Sequence, residues 1–135
     1  MRGLFVDTAG WMAMADAGDP QHEDACRARD EELSGGTLFV STDFVLDETL
    51  TLVRFRLGLR AAARWWDGIE ASRRLRWEPV GRERLERARR WFFQWSDHRF
   101  SFTDCTSFVV MRELGLERAL TSDAHFRQAG FEVVP

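Results

Sequence analysis

Gly3-Leu4-Phe5-Val6-Asp7-Thr8 is a short apolar run that ends on an acid and then a hydroxyl. Its apolar residues do not alternate with polar ones, as expected of a strand covered on both faces in a parallel sheet. Residues 8–15 continue as a short helix with Asp7 or Thr8 as its cap. A strand that passes directly into a capped helix is the repeating unit of an α/β fold, and the rest of the chain follows it. Asp19-Pro20 predicts a second helix over 20–33, stopped by Ser34-Gly35-Gly36. Residues 37–41 predict a strand. Thr42 or Asp43 then caps a helix that ends at Gly58. Further helices are expected over 59–72, 81–95 and 103–114, with strands over 75–80, 119–121 and 131–134 and a helical turn over 123–128. In the helix over 81–95, Leu85, Ala88, Phe92 and Trp95 share the apolar face. The fold class expected is three-layer α/β with a mainly parallel sheet, residues 1–135 forming a single domain.

Composition narrows the chemistry. A net charge of −3 argues against a protein that coats nucleic acid with positive charge. All 19 basic residues are arginine, and tyrosine is absent, which removes Schiff-base lysine, P-loop lysine and tyrosine nucleophiles. Cys26 and Cys105 make neither a disulfide framework nor a zinc motif, and a reducing cytoplasm is the expected compartment. No apolar stretch has the length of a membrane span, so no membrane association is expected. His22, His98 and His125 lack metal-site spacing, and His125 is read as a packing or capping residue. Arg56, Arg60 and Arg64, and the arginines between 82 and 90, read first as solvated faces with Glu83 and Glu86 as partners. Trp65, Trp66, Trp91 and Trp95 read first as core.

Four acids stand out against this background. Asp7 and Asp123 follow apolar strands, where sites form in open α/β sheets, although each also suits a helix cap. Glu48 shares a helix face with Phe44, Thr51, Leu52 and Phe55, and an acid on an apolar face is costly unless paired or bound to metal. Asp104 shares a face with Phe108, Met111 and Gly115. Asp47 is rotated about 100° from Glu48, toward polar positions, and is read as solvated. Carboxylates that converge without counter-charge raise one another's pKa, and a hard divalent cation relieves this.

Phe5-Val6-Asp7-Thr8, the 46–52 segment around Glu48, Phe100-Ser101-Phe102-Thr103-Asp104 and the 120–126 segment around Asp123 together resemble the PIN-domain nucleases. Within that family they resemble the VapC-type toxins of bacterial toxin–antitoxin pairs. The resemblance covers effectively the whole chain. It implies an endoribonuclease dependent on Mg²⁺ or Mn²⁺, with Asp7, Glu48, Asp104 and Asp123 as its acidic set. Asp7 and Asp104 are then the most direct ligands, with Thr8 and Thr121 as supporting hydroxyls. It also implies a product with a 5′-phosphate and a 3′-hydroxyl, a VapB-type antitoxin as partner, RNA as substrate, and a homodimer. Some of the tryptophans would line a groove for an amphipathic antitoxin helix. Ala9 departs from the family pattern, where serine is common, without removing an acid. Two other readings fit the same residues: a stand-alone PIN nuclease of RNA maturation, and a non-catalytic PIN-like scaffold that binds RNA or protein.

Overall fold

The computed structural model describes residues 2–135. Its elements run β1 (Gly3–Val6), α1 (Thr8–Ala15), α2 (His22–Ser34), β2 (Leu38–Thr42), α3 (Asp43–Leu57) and α4 (Leu59–Ala71). The chain then continues with β3 (Leu75–Glu78), α5 (Gly81–Gln94), α6 (Phe102–Leu114), β4 (Arg118–Leu120), α7 (Ala124–Gln128) and β5 (Glu132–Val134). The five strands form one parallel sheet in the order β3-β2-β1-β4-β5. From β1 the chain moves first toward β3, then crosses back to β4 and β5. With right-handed crossovers this puts α1–α4 on one face and α5–α7 on the other. The topological switch lies between β1 and β4, and open parallel sheets build their sites beyond the strand ends at such a switch.

Both faces of β1 are buried, as its unbroken apolar run requires. Phe5 stacks against Phe126 of α7, which meets Phe108 of α6 edge-on. In the other layer Trp11 packs on Trp65 and Trp77, and its indole N–H donates to Ser41 Oγ. Local chemistry sets most element ends. Thr42 Oγ1 accepts from the Val45 amide to start α3, and Gly115 closes α6 at φ 68°.

Three local expectations are corrected. Asp19-Pro20 forms a turn, because the Asp19 carboxylate accepts from the Gln21 amide and its carbonyl from the His22 amide, so α2 begins at His22. On α5 the inward face is Ala88 and Trp91, continued by Trp95 at its C-cap. Leu85 and Phe92 lie at its edge, 38% and 39% exposed. On α3 the inward stripe is Val45, Thr49 and Val53, while Phe55 is 77% exposed.

At the opposite end of the sheet from the switch, buried Glu32 ties α2 to the strands. It accepts from both terminal guanidinium nitrogens of Arg118 (3.1 and 2.5 Å), from Arg2 (3.1 Å) and from Thr37 Oγ1 (3.0 Å). Hydrogen bonding to Arg118 holds its carboxyl below the usual range, so this stabilisation is present above pH about 4.5 and lost as pH falls through the lowered value. Glu32→Ala leaves Arg118 and Thr37 without their acceptor, and is expected to cost about 2 kcal/mol in urea denaturation at pH 7. Unchanged stability would show that solvent replaces the network. No helix among the described residues is long and apolar enough to cross a membrane.

Candidate metal centre

Three helix starts meet at the switch, and each carries an acid. The Asp7 carboxylate caps α1 by accepting the Gly10 amide at Oδ1 (2.8 Å), while Oδ2 accepts from Thr121 Oγ1 (2.9 Å). Asp104 belongs to a capping box. Its Oδ2 accepts from the Ser101 amide (3.0 Å), and its own amide donates to Ser101 Oγ (2.9 Å). Asp123 caps α7 by accepting the His125 amide at Oδ1 (2.9 Å). The capping and site readings of these acids are therefore compatible, since a cap occupies only part of a carboxylate's acceptor capacity.

Thr121 is the joint between the two strand ends. Its hydroxyl donates to Asp7 and accepts from the Asp123 amide (2.9 Å). Gly10 allows the approach. A Cβ there would lie 2.1 Å from the Leu120 carbonyl oxygen, so only glycine lets α1 sit this close to the end of β4.

Asp7, Glu48, Asp104 and Asp123 all line one cavity, together with Asp19 and Arg56. Glu48 differs from its expectation. It is exposed at the cavity wall, on the flank of α3 beside the buried Val45–Thr49–Val53 stripe, so burial on an apolar face is not what singles it out. Asp7 is buried, and burial pushes its carboxyl up to about 7, with smaller contributions from Asp123 and Asp104. Asp104 is raised chiefly by burial too, with Asp123 adding to it. Desolvation, more than mutual repulsion, makes ionisation costly here.

The cavity also contains residues to which the sequence reading gave other roles first. His125, assigned there to packing or capping, places Nδ1 2.9 Å from Asp104 Oδ2 and 3.3 Å from Asp123 Oδ1. Asp19 reaches the wall from the α1–α2 turn and Arg56 from the last turn of α3. Asp-Ala-His was a legible signal, but only the burial of Phe126 turns His125 inward to the acids. Thr8 Oγ1 and Ser107 Oγ are buried at the same cavity and find no hydrogen-bond partner among the described residues. Buried hydroxyls without partners are rare and mark places where water, an ion or a ligand is bound. Hard oxygen donors, buried carboxyls that resist ionisation and orphaned hydroxyls together fit a hydrated divalent cation.

Comparison with known proteins identifies the family. The PIN domain family matches residues 4–132. The 23S rRNA-specific endonuclease VapC20 of Mycobacterium tuberculosis, from two strains, is 38% identical over 133 residues, covering 98% of each chain. The crystal structure of M. tuberculosis VapC20, described as a sarcin–ricin-loop-cleaving toxin, superposes with a TM-score of 0.89 at 37% identity. It covers 98% of this chain and 99% of that one. FitAcB from Neisseria gonorrhoeae shares the fold alone, with a TM-score of 0.67 at 13% identity over 98% of this chain and 96% of that one. The chain therefore belongs to the PIN-domain family, as a homologue of an endoribonuclease toxin.

Proposed function

We propose that this protein hydrolyses a phosphodiester bond in the sarcin–ricin loop of 23S rRNA, using Mg²⁺ or Mn²⁺ held by Asp7, Glu48, Asp104 and Asp123. The observation that carries the reading is the delivery of three helix-capping acids from distant segments into one cavity walled by Glu48. The rRNA target is supported by 38% identity along nearly the full length of a relative named for that substrate.

When bound, the cation supplies Lewis acidity toward a phosphate oxygen and toward water. The protein supplies the rest. Asp7 and Asp104 are the most direct ligands, and Glu48 and Asp123 act directly or through water. Thr121 holds the Asp7 carboxylate in one orientation by its 2.9 Å hydrogen bond. The Thr8 and Ser107 hydroxyls supply donors and acceptors for water or substrate inside the cavity. Arg56 at the wall offsets the acidic lining and offers a guanidinium to an RNA phosphate. The biological setting we propose is the toxin half of a toxin–antitoxin pair in the cytoplasm, restrained by a VapB-type antitoxin and acting as a homodimer. Likeness to a solved structure described as a toxin supports this over a maturation nuclease.

Incubating purified protein with a sarcin–ricin-loop RNA and Mg²⁺ or Mn²⁺ should give cleavage at one position. Asp104→Asn keeps the shape of the cap and its hydrogen bond to the Ser101 amide but removes the anionic ligand. Cleavage should fall by about 100-fold or more, roughly 3 kcal/mol of transition-state stabilisation. Identical RNA patterns from the two proteins would remove the nuclease reading.

A further inference from the structure

We propose that His125 is a nitrogen ligand of the metal centre and makes it favour Mn²⁺ over Mg²⁺; this rests on the metal-dependent reading above. One donor atom each from Asp104, Asp123 and His125 falls in a group whose members all lie within 4.8 Å of one another. The imidazole Nδ1 stands between the two carboxylates, 2.9 Å from one oxygen and 3.3 Å from the other. An octahedral cation with bonds of about 2.1 Å holds adjacent ligands about 3.0 Å apart, which is close to the spacing of Nδ1 from each of the two carboxylate oxygens. A hydrogen bond has that spacing as well, so a second line of argument is needed.

That line is the way the ring is held. Phe126, next along α7, is fully buried between Phe5 and Phe108, and this sets the orientation of the short helix. The His125 amide is pinned to the Asp123 carboxylate, and Phe100 meets the imidazole edge-on at 5.5 Å between centroids. The backbone of the short helix and one aromatic contact therefore set where the ring stands, while its side chain stays 30% exposed at the cavity. A residue needed only for packing would be covered, and one needed only as a cap would use its amide alone. A preset imidazole with its Nδ1 among carboxylates is a mixed nitrogen–oxygen donor set. Carboxylate and water oxygens suit Mg²⁺ and Mn²⁺ alike, and of these two it is Mn²⁺, the transition metal, that gains from an imidazole nitrogen.

The test uses the full chain with Mn²⁺ bound. Electron spin-echo envelope modulation should show nitrogen-14 coupling from an imidazole in the wild type, and that coupling should vanish in His125→Gln. Calorimetry should show Mn²⁺ affinity weakened about tenfold or more in this variant, with Mg²⁺ affinity changed less than about threefold. His98→Gln, at an exposed histidine outside the cavity, should change neither. Mn²⁺ bound by the wild type without nitrogen coupling overturns the proposal and leaves a carboxylate centre standing. Coupling that persists in His125→Gln overturns it as well. Failure of the wild type to bind Mn²⁺ removes the metal centre and the proposal together. The wild-type spectrum decides the matter even where His125→Gln does not fold.

Discussion

Asp7→Asn is expected to make the metal-free protein more stable at pH 8 while abolishing both cleavage and stabilisation by Mn²⁺. The Asp7 carboxyl is raised from 3.8 to about 7, chiefly by burial. Below pH about 4 it is protonated in the folded and unfolded states alike, so it imposes no penalty. Between pH about 4 and 7 the folded protein retains a proton that the unfolded chain has released. Stability therefore falls as pH rises through this window, by about 4 kcal/mol in all. Asp104 contributes in the same direction, and Glu32 acts in the opposite direction at lower pH.

Asparagine at position 7 removes the penalty and still accepts the Gly10 amide, so the variant should lose most of the decline between pH 5 and 8. A cation competes with the same proton, so Mn²⁺ should raise the wild-type melting temperature more at pH 8 than at pH 5. Thermal melts of both proteins at the two pH values, with and without Mn²⁺, check every part of this. Equal pH dependence in the two would show that Asp7 is not ionised at such a cost. A full Mn²⁺ shift in Asp7→Asn would show that Asp7 is not a ligand.

Gly10→Ala should be the most damaging of the glycine-to-alanine substitutions. The new Cβ would stand 2.1 Å from the Leu120 carbonyl oxygen and 3.0 Å from both its carbonyl carbon and Cδ2. Backbone cannot yield as a flexible side chain does, so α1 must move away from β4, at a cost of about 3 kcal/mol. That movement also draws Asp7 away from Thr121, so Mn²⁺ affinity should fall along with stability. Gly68→Ala is the control, because nothing lies within 4 Å of its Cβ position inside α4. It should be neutral or stabilising by up to about 1 kcal/mol. Equal urea midpoints for the two variants would show that the close approach at Gly10 is not a constraint.

The order of strands and helices was legible because each element carries a local signal. The apolar run of β1, the Thr42 cap and Gly115 act within a few residues of where they stand. Element ends slipped where two local rules competed. At Asp19-Pro20 the same residues suit a helix start and a turn, and the hydrogen bonds chose the turn. Glu48 shows the limit of periodicity. Helix α3 carries one apolar stripe through Phe44, Leu52 and Phe55 and another through Val45, Thr49 and Val53. Helical spacing cannot say which one meets the sheet. The structure buries the second, which leaves Glu48 at the cavity wall for a different reason from the one its spacing suggested.

From the sequence alone, then, came the α/β alternation, four candidate acids and the helix caps at Asp7 and Asp123, since caps and strand ends are short-range facts. The tertiary structure decided that those acids share a cavity. Asp7 and Thr121 are 114 residues apart and meet only because β1 and β4 are neighbours at the switch. It also decided that Gly10 must be glycine, that Asp7 resists ionisation, and that His125 faces the acids. Each of these depends on what packs against a residue from elsewhere in the chain: the Leu120 carbonyl, the buried surroundings of Asp7, and the pocket that takes Phe126. Packing partners of that kind are set by the order of strands in the sheet, which no local pattern records.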